Sequence, residues 1–257
     1  MERITLNIAE VETTFRFKYK DSNFFKYLNN KYSDFFADKK SKDIIRVEFS
    51  DSVFRNDDKV YLKEDEKLII SRKDFLFEDG NLFIKPNIYS FDSFLRIYIS
   101  NELNKSKGLL IHSSGFIFNN RAFIFVSKSG GGKSAIIKIF GDYKAFSDEL
   151  IPLVFKENQW FVFSSPFWGE IRRRKSKPFK AKLNKIFFIK KDFRNFELKI
   201  SKNNGFYELM RCVMNFNPSK KLANLISDKI ISLLNCDFSI LHFSKSKSLV
   251  SYFKNIN

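Results

Sequence analysis

One stretch of the sequence combines the residue types that bind phosphate. Residues 127–134, Ser-Lys-Ser-Gly-Gly-Gly-Lys-Ser, follow the apolar run 122–126 and precede the run 135–140, whose apolar residues have helical spacing. The expected order is strand, glycine loop, helix. Consecutive glycines let backbone N–H groups turn toward an anion, and the helix directs its positive dipole end to the same place. Lys133 can then reach the outer phosphates of a nucleotide, and the Ser134 hydroxyl can coordinate Mg²⁺.

The loop departs from the P-loop pattern at one position. The pattern G-x-x-x-x-G-K-[ST] requires Gly where this chain has Ser127, so the first turn must form without the φ freedom of glycine. A turn that merely joins a strand to a helix is the alternative. The apolar strand, the polar turn and the helical spacing agree with phosphate binding at three independent levels. The predicted ATP contacts are Ser129, Gly130, Gly131, Gly132, Lys133 and Ser134.

A pair of acids follows the loop at a short distance. Asp148 and Glu149 come directly after the predicted strand 143–147, and Asp148 lies 15 positions after Lys133. That separation accommodates one helix and one short strand, so the acids are expected at the carboxyl end of a neighbouring strand. Glu149 could hold Mg²⁺ together with Ser134. A surface turn before the next strand is the alternative for the acid pair.

Together these segments resemble the catalytic domain of the bacterial HPr serine kinase and phosphorylase, a family related to the ATP-dependent PEP carboxykinases. The resemblance rests on residues 111–115 (Ile-His-Ser-Ser-Gly), 129–134 and 147–149 (Ser-Asp-Glu), and covers roughly residues 105–170. It implies ATP in the loop, Asp148 as general base toward a seryl hydroxyl, and a catalytic role for His112. A lone histidine among apolar strand residues is also typical of a packed core position. The family's assembly through this domain implies a homo-oligomer.

A basic run lies downstream of the acids. Residues 171–175 are Ile-Arg-Arg-Arg-Lys. Arginines near a P-loop can stabilise the transferring phosphate or attract an acidic peptide, and Arg173 is therefore predicted to contact the nucleotide. A solvent-exposed charged loop explains the run equally well.

Composition limits the classes of partner. The chain has 46 basic and 29 acidic residues, so nucleic acid, an acidic protein surface or a membrane surface is conceivable. The lysines are scattered, however, and no RRM-like motif interleaves them with aromatics. Cys212 and Cys236 are too few and too far apart for a disulfide framework. The N-terminus lacks a signal-peptide pattern, and no run approaches the ~18 apolar residues of a membrane helix. A cytoplasmic protein without a membrane partner is expected.

The expected fold is α/β with α+β character. Residues 1–104 are predicted as a small, mainly β region with a connecting helix over 90–104, and residues 105–257 as a P-loop, HPr-kinase/PEP-carboxykinase-like domain with a mixed sheet. Local signals include the helix cap Asp21, the hairpin turns Asp79–Gly80 and Asn119–Asn120, and a helix over 207–216.

Three functions remain as hypotheses. The first is an ATP- and Mg²⁺-dependent kinase that transfers the γ-phosphate to a hydroxyl, with serine of a protein or peptide as acceptor. The second is a catalytically inactive nucleotide-binding module for regulation or assembly. The third is a basic nucleic-acid-binding protein.

Overall fold

The computed structural model describes residues 2–39, 41–51, 59–62, 68–172 and 176–256. Within these ranges the protein is mixed α/β, with two mixed sheets and six α-helices. The chain divides into two compact units, Met1–Glu102 with Lys175–Lys177 and Asn215–Ala223, and Leu103–Arg174 with Pro178–Met214 and Asn224–Asn257. The mixed α/β class expected from the sequence is confirmed.

The first unit is built on a seven-stranded sheet with the order β1-β2-β3-β7-β6-β5-β4. Its strands are β1 Glu2–Ile8, β2 Val11–Phe17, β3 Ile44–Phe49, β4 Lys59–Leu62, β5 Leu68–Ser71, β6 Phe75–Glu78 and β7 Asn81–Ile84. Two helices, α1 Ser22–Tyr32 and α2 Ile88–Lys105, accompany the sheet, and a 3₁₀ turn, Ser33–Phe35, follows α1. The predicted boundary between residues 104 and 105 falls at the end of α2.

Local sequence signals explain the elements of this unit. The predicted hairpin turn joins β6 to β7, with φ of 49° at Asp79 and 74° at Gly80, the left-handed conformation that such a turn requires. Asp21 caps α1 as predicted, because its carboxylate accepts the Phe24 N–H at 2.7 Å. Aromatic packing then holds the helices on the sheet, for example between Phe15 and Phe91 at 5.2 Å.

The second unit contains an eight-stranded sheet and most of the remaining helices. Its strands are β8 Gly108–Phe118, β9 Arg121–Val126, β10 Ala145–Ser147, β11 Leu150–Lys156, β12 Gln159–Phe163, β13 Lys180–Lys191, β14 Phe196–Leu198 and β15 Asp237–Phe243. The further helices of the chain are α3 Lys133–Ile139, α4 Lys202–Met210, α5 Lys220–Leu233 and α6 Ser248–Ile256. The predicted turn Asn119–Asn120 joins β8 to β9, with φ of 47° and 59°.

Three strands of this sheet run parallel to one another. β13 pairs in parallel with β9 on one side and with β15 on the other, whereas the remaining pairings of the sheet are antiparallel. In register, Val126 lies beside Phe188, and Lys191 beside Phe243. The carboxyl ends of the three strands therefore meet at one edge, which is where open α/β sheets bind ligands.

An apolar cluster packs α3 against the sheet. The Phe116 ring of β8 stacks on the Phe140 ring directly after α3, with centroids 4.4 Å apart. Buried side chains from α3 and the three parallel strands complete the cluster with α6, among them Phe125, Ile136, Phe187, Leu241, Phe243 and Phe253. The glycine loop is thus held between a strand and a helix that both pack into one core.

Two segments differ from the sequence-based expectation. The predicted helix over 207–216 is correct only for residues 207–210, because α4 begins after Ser201, whose hydroxyl accepts the Asn204 N–H, and ends at Met210. The chain beyond α4 instead runs beside β8, where the Met214 N–H donates to the Leu110 carbonyl at 2.8 Å. The hairpin of β11 and β12 was not predicted, since its turn residues Glu157 and Asn158 lack a glycine signal.

None of the helices in the described ranges combines the length and apolarity needed to cross a bilayer.

Lys229 of α5 ties the end of α2 to the start of β8. Its ammonium donates to the carbonyls of Leu103 (3.2 Å), Asn104 (2.5 Å) and Gly108 (3.2 Å). We expect Lys229→Met to lower the free energy of unfolding by about 1–2 kcal/mol, because half-buried carbonyls lose their donor. Urea denaturation measures this change, with Lys221→Met, an exposed position on the same helix, as the control. Equal stability of the two variants would contradict a bonding role for Lys229.

Candidate active site

The glycine loop lies at the carboxyl end of β9, as predicted. Two of its glycines have positive φ, 76° at Gly130 and 108° at Gly132, which L side chains rarely adopt. A Cβ on Gly131 would collide with the Ser127 side chain, so steric crowding rather than backbone conformation excludes a side chain here. Ser127 itself does not adopt a positive φ. The loop therefore forms without a glycine at its first position.

The Lys133 side chain is buried against the start of the glycine loop. Its ammonium donates to the carbonyls of Ser127 at 3.0 Å and Lys128 at 3.2 Å. Burial lowers the pKa of Lys133, and the negative charges of Glu149 and Asp148 oppose that shift. Lys133 thus lies close to both predicted acids while it fixes the backbone of the loop.

Cys212 contributes to the same environment from beyond α4. Its thiol lies 3.8 Å from the Ser127 carbonyl, and its own carbonyl accepts the His112 N–H at 2.7 Å. Burial raises the pKa of the Cys212 thiol. The cysteine therefore packs beneath the loop as a thiol, and the sequence contains no local signal for this position.

Asp148 is buried and accepts three backbone N–H groups. Its Oδ1 accepts from Gly169 at 2.8 Å, and its Oδ2 accepts from Glu170 at 3.0 Å and Ile171 at 3.2 Å. An ionised carboxylate has about four acceptor positions, so in the contacts of the described residues one position on Oδ1 is left for a further donor. Asp148 also fixes the segment that follows β12.

Glu149 immediately precedes β11, which pairs with β8, the strand that carries His112. The Glu149 N–H donates to the Ser147 hydroxyl at 3.0 Å, and the Glu149 carbonyl accepts from Ser113 at 2.9 Å. His112 of β8 is paired in register with Leu150 of β11, next to Glu149. The antiparallel pairing of β8 and β11 therefore brings the acid pair and the histidine together.

A cleft of about 500 Å³ joins these residues. Among the predicted site residues, those that line it are His112, Ser129, Gly130, Gly132, Lys133, Ser134, Asp148 and Glu149. Gly131 belongs to the loop but does not line the cleft, because it packs against Ser127. Arg173 lies outside the described residues. Segments distant in sequence thus meet in a single cleft.

Sequence reasoning missed several residues that line the same cleft. They are Ala135, Lys138, Gly169, Glu170, Lys191 and Lys245. Lys191 ends β13, and its ammonium donates to the Gly130 carbonyl at 2.6 Å. Lys138 and Glu170 form an exposed ion pair at 3.5 Å. The only local signal for Lys191 was its position at the end of an apolar run. That position indicates the cleft only when the order of the strands in the sheet is known.

Oxygen donors suited to Mg²⁺ are present in the cleft. Ser134 and Glu149 both line it, and Mg²⁺ in nucleotide sites is held by one or two hydroxyl or carboxylate groups plus phosphate oxygens and water. In the described ranges, no group of three or more His, Cys, Asp and Glu side chains forms a metal centre. These donors fit an ion that arrives with a nucleotide.

Comparison of the sequence with protein-family models finds no match. Comparison with curated proteins finds none either.

Proposed function

We propose that the protein is an ATP- and Mg²⁺-dependent kinase that transfers the γ-phosphate to a hydroxyl, with serine of a protein or peptide as acceptor. In this proposal the second unit is a P-loop domain of the HPr-kinase and PEP-carboxykinase type. A kinase of this kind uses the cytoplasmic ATP pool, and an acidic acceptor suits the basic chain. Assembly into a homo-oligomer belongs to the same proposal, because the family assembles through this domain.

One observation carries the proposal. The loop lysine and serine, the acid pair and the histidine come from three separated segments, and all of them line one cleft. A kinase of the family that the sequence resembles needs this convergence, because phosphoryl transfer depends on positioning and on neutralising charge around the phosphates. An accidental glycine-rich turn would have no reason to face the two acids and the histidine.

The residues can be assigned roles in one transfer step. The loop amides and Lys133 bind the β- and γ-phosphates, while Ser134 and Glu149 coordinate Mg²⁺. The free acceptor position on Oδ1 of Asp148 takes the proton of the seryl hydroxyl. The seryl oxygen then bonds to the γ-phosphorus as the bond to the β–γ bridging oxygen breaks, and ADP leaves. His112 lies beside the acids, where a ring nitrogen can contact the transferring group.

A second candidate function is a nucleotide-binding module without catalysis. The observation that favours it is the set of three backbone N–H groups held by the Asp148 carboxylate. That arrangement is also what a purely structural aspartate requires, since it satisfies the amides of residues 169–171. In this case ATP binds to the cleft and is not consumed.

The kinase proposal predicts Mg²⁺-dependent phosphorylation of serine. With γ-labelled ATP and a library of serine peptides, we expect label on serine, with acidic peptides preferred. Removal of Mg²⁺ by EDTA should lower the rate by about 100-fold or more, because the ion neutralises charge in the transition state. Peptides with alanine in place of serine are the control. Binding of ATP without any turnover would support the second candidate, and absence of ATP binding would contradict both.

A further inference from the structure

We propose that Lys191 and Lys245 form a second cationic arm of the cleft that binds the phosphate chain and favours triphosphates over shorter chains. This inference rests on the nucleotide-binding part of the proposed function. It names two binding residues and a selectivity that the loop sequence does not reveal.

The sheet topology delivers both lysines to the loop. Lys191 is the last residue of β13, and Lys245 follows β15 by two positions. Because β9, β13 and β15 are adjacent and parallel, their carboxyl ends lie at the same edge. The glycine loop leaves β9 at that edge, and both lysines line the cleft with it.

The Lys191 side chain contacts the glycines of the loop. Its ammonium is 2.6 Å from the Gly130 carbonyl, and its Cε would lie 3.4 Å from a Cβ built on Gly132. A phosphate held by the loop amides is therefore within reach of this ammonium. A charge-assisted bond to a phosphate oxygen is stronger than a bond to a neutral carbonyl, so the bound phosphate competes for Lys191.

The backbone around Lys191 is fixed by its neighbour Asp192. The Asp192 N–H donates to the Phe243 carbonyl at 2.9 Å. The Asp192 carboxylate accepts the Phe193 N–H at 2.7 Å and lies 3.0 Å from the His242 ring nitrogen. The hydrogen bond with His242 lowers the pKa of Asp192. The strand end that carries Lys191 is thus held in place by hydrogen bonds. Binding of a phosphate by Lys191 therefore costs less conformational entropy.

The charges of the cleft distinguish these two lysines from Lys138. Lys138 is exposed and paired with Glu170 at 3.5 Å, so its charge is compensated at the rim. Lys191 donates to a neutral carbonyl group, and Lys245 lies just after the end of another strand, β15. Each added phosphate brings negative charge, so the two further cations favour the longer chain.

Binding of Mg²⁺-tripolyphosphate, ATP, ADP and AMP tests the arm. We expect Lys191→Met and Lys245→Met each to weaken tripolyphosphate and ATP binding by about tenfold, with smaller losses for ADP and little change for AMP. The matched control is Lys190→Met, which removes the same charge from an exposed position next to Lys191 and outside the cleft lining. Isothermal titration calorimetry gives the affinities, and thermal melting confirms that each variant is folded.

Equal tripolyphosphate affinity in Lys191→Met and Lys190→Met would overturn the inference, as would equal losses for ATP and AMP or an unmodified protein that does not bind tripolyphosphate. Failure of the kinase proposal has a different signature. A protein that transfers no phosphate, yet binds tripolyphosphate and loses that binding in Lys191→Met, fails as a kinase and retains the cationic arm.

Discussion

Replacement of Lys133 by methionine is expected to weaken ATP binding by about 100-fold, or about 3 kcal/mol. Methionine fills a similar volume in the buried position but cannot contribute a positive charge to the phosphates. It also removes the donor shared by the Ser127 and Lys128 carbonyls, which hold the loop closed on itself. Both losses act on the same binding step, and fluorescence titration with a labelled ATP analogue measures it.

The control for this variant comes from the same loop. Lys128→Met removes an exposed lysine that does not line the cleft, so the change in net charge is matched while the binding site is retained. We expect Lys128→Met to bind ATP within about threefold of the unmodified protein. If Lys133→Met also stays within that range, the loop is not the ATP site, and the kinase and module functions are both excluded.

Asp148→Asn is expected to lower the transfer rate by about 10²–10⁴-fold while ATP affinity is retained, because the loop and Lys133 are unchanged. The substitution also affects stability. The side-chain amide of asparagine has only one oxygen. Its NH₂ group must therefore face at least one of the backbone N–H groups that donate to the Asp148 carboxylate. One buried N–H is left unsatisfied, and we expect the free energy of unfolding to fall by about 2 kcal/mol.

Two measurements on this variant separate catalysis from folding. Single-turnover phosphorylation reports the loss of the base, and urea denaturation reports the lost hydrogen bond. Asp142→Asn, which changes an exposed acid in the turn after α3, should alter neither quantity. Transfer at the rate of the unmodified protein by folded Asp148→Asn would remove Asp148 from the role of base and leave it a purely structural anchor.

Features encoded by neighbouring residues were predictable from the sequence. The order of β9, loop and α3, the cap at Asp21 and the turns at Asp79–Gly80 and Asn119–Asn120 each depend on a few adjacent side chains. The helix predicted over 207–216, of which only residues 207–210 are helical, shows the limit of such signals. Its apolar spacing resembled a helix, but backbone bonds to β8, more than a hundred positions earlier in the chain, determine its path.

The candidate site was predictable to the same extent. The loop and the acid pair have a recognisable spacing, and their meeting in one cleft follows from short connections. Lys191, Lys245 and Cys212 were missed because their positions depend on which strands become neighbours. That order is set by the packing of the whole sheet, and no local pattern around these residues carries it.

The parallel arrangement of β9, β13 and β15 also orders the events of folding. Gly130 and Lys191 are 61 positions apart in the chain, and β15 follows later still. The Phe253 ring of α6 then packs against rings from several elements, including Phe116, Phe123, Phe140 and Phe187. Contacts between such distant segments close large loops and form slowly. On the ribosome, the glycine loop is therefore synthesised well before β13 and β15, and the cleft is completed only when β15 and Lys245 have emerged.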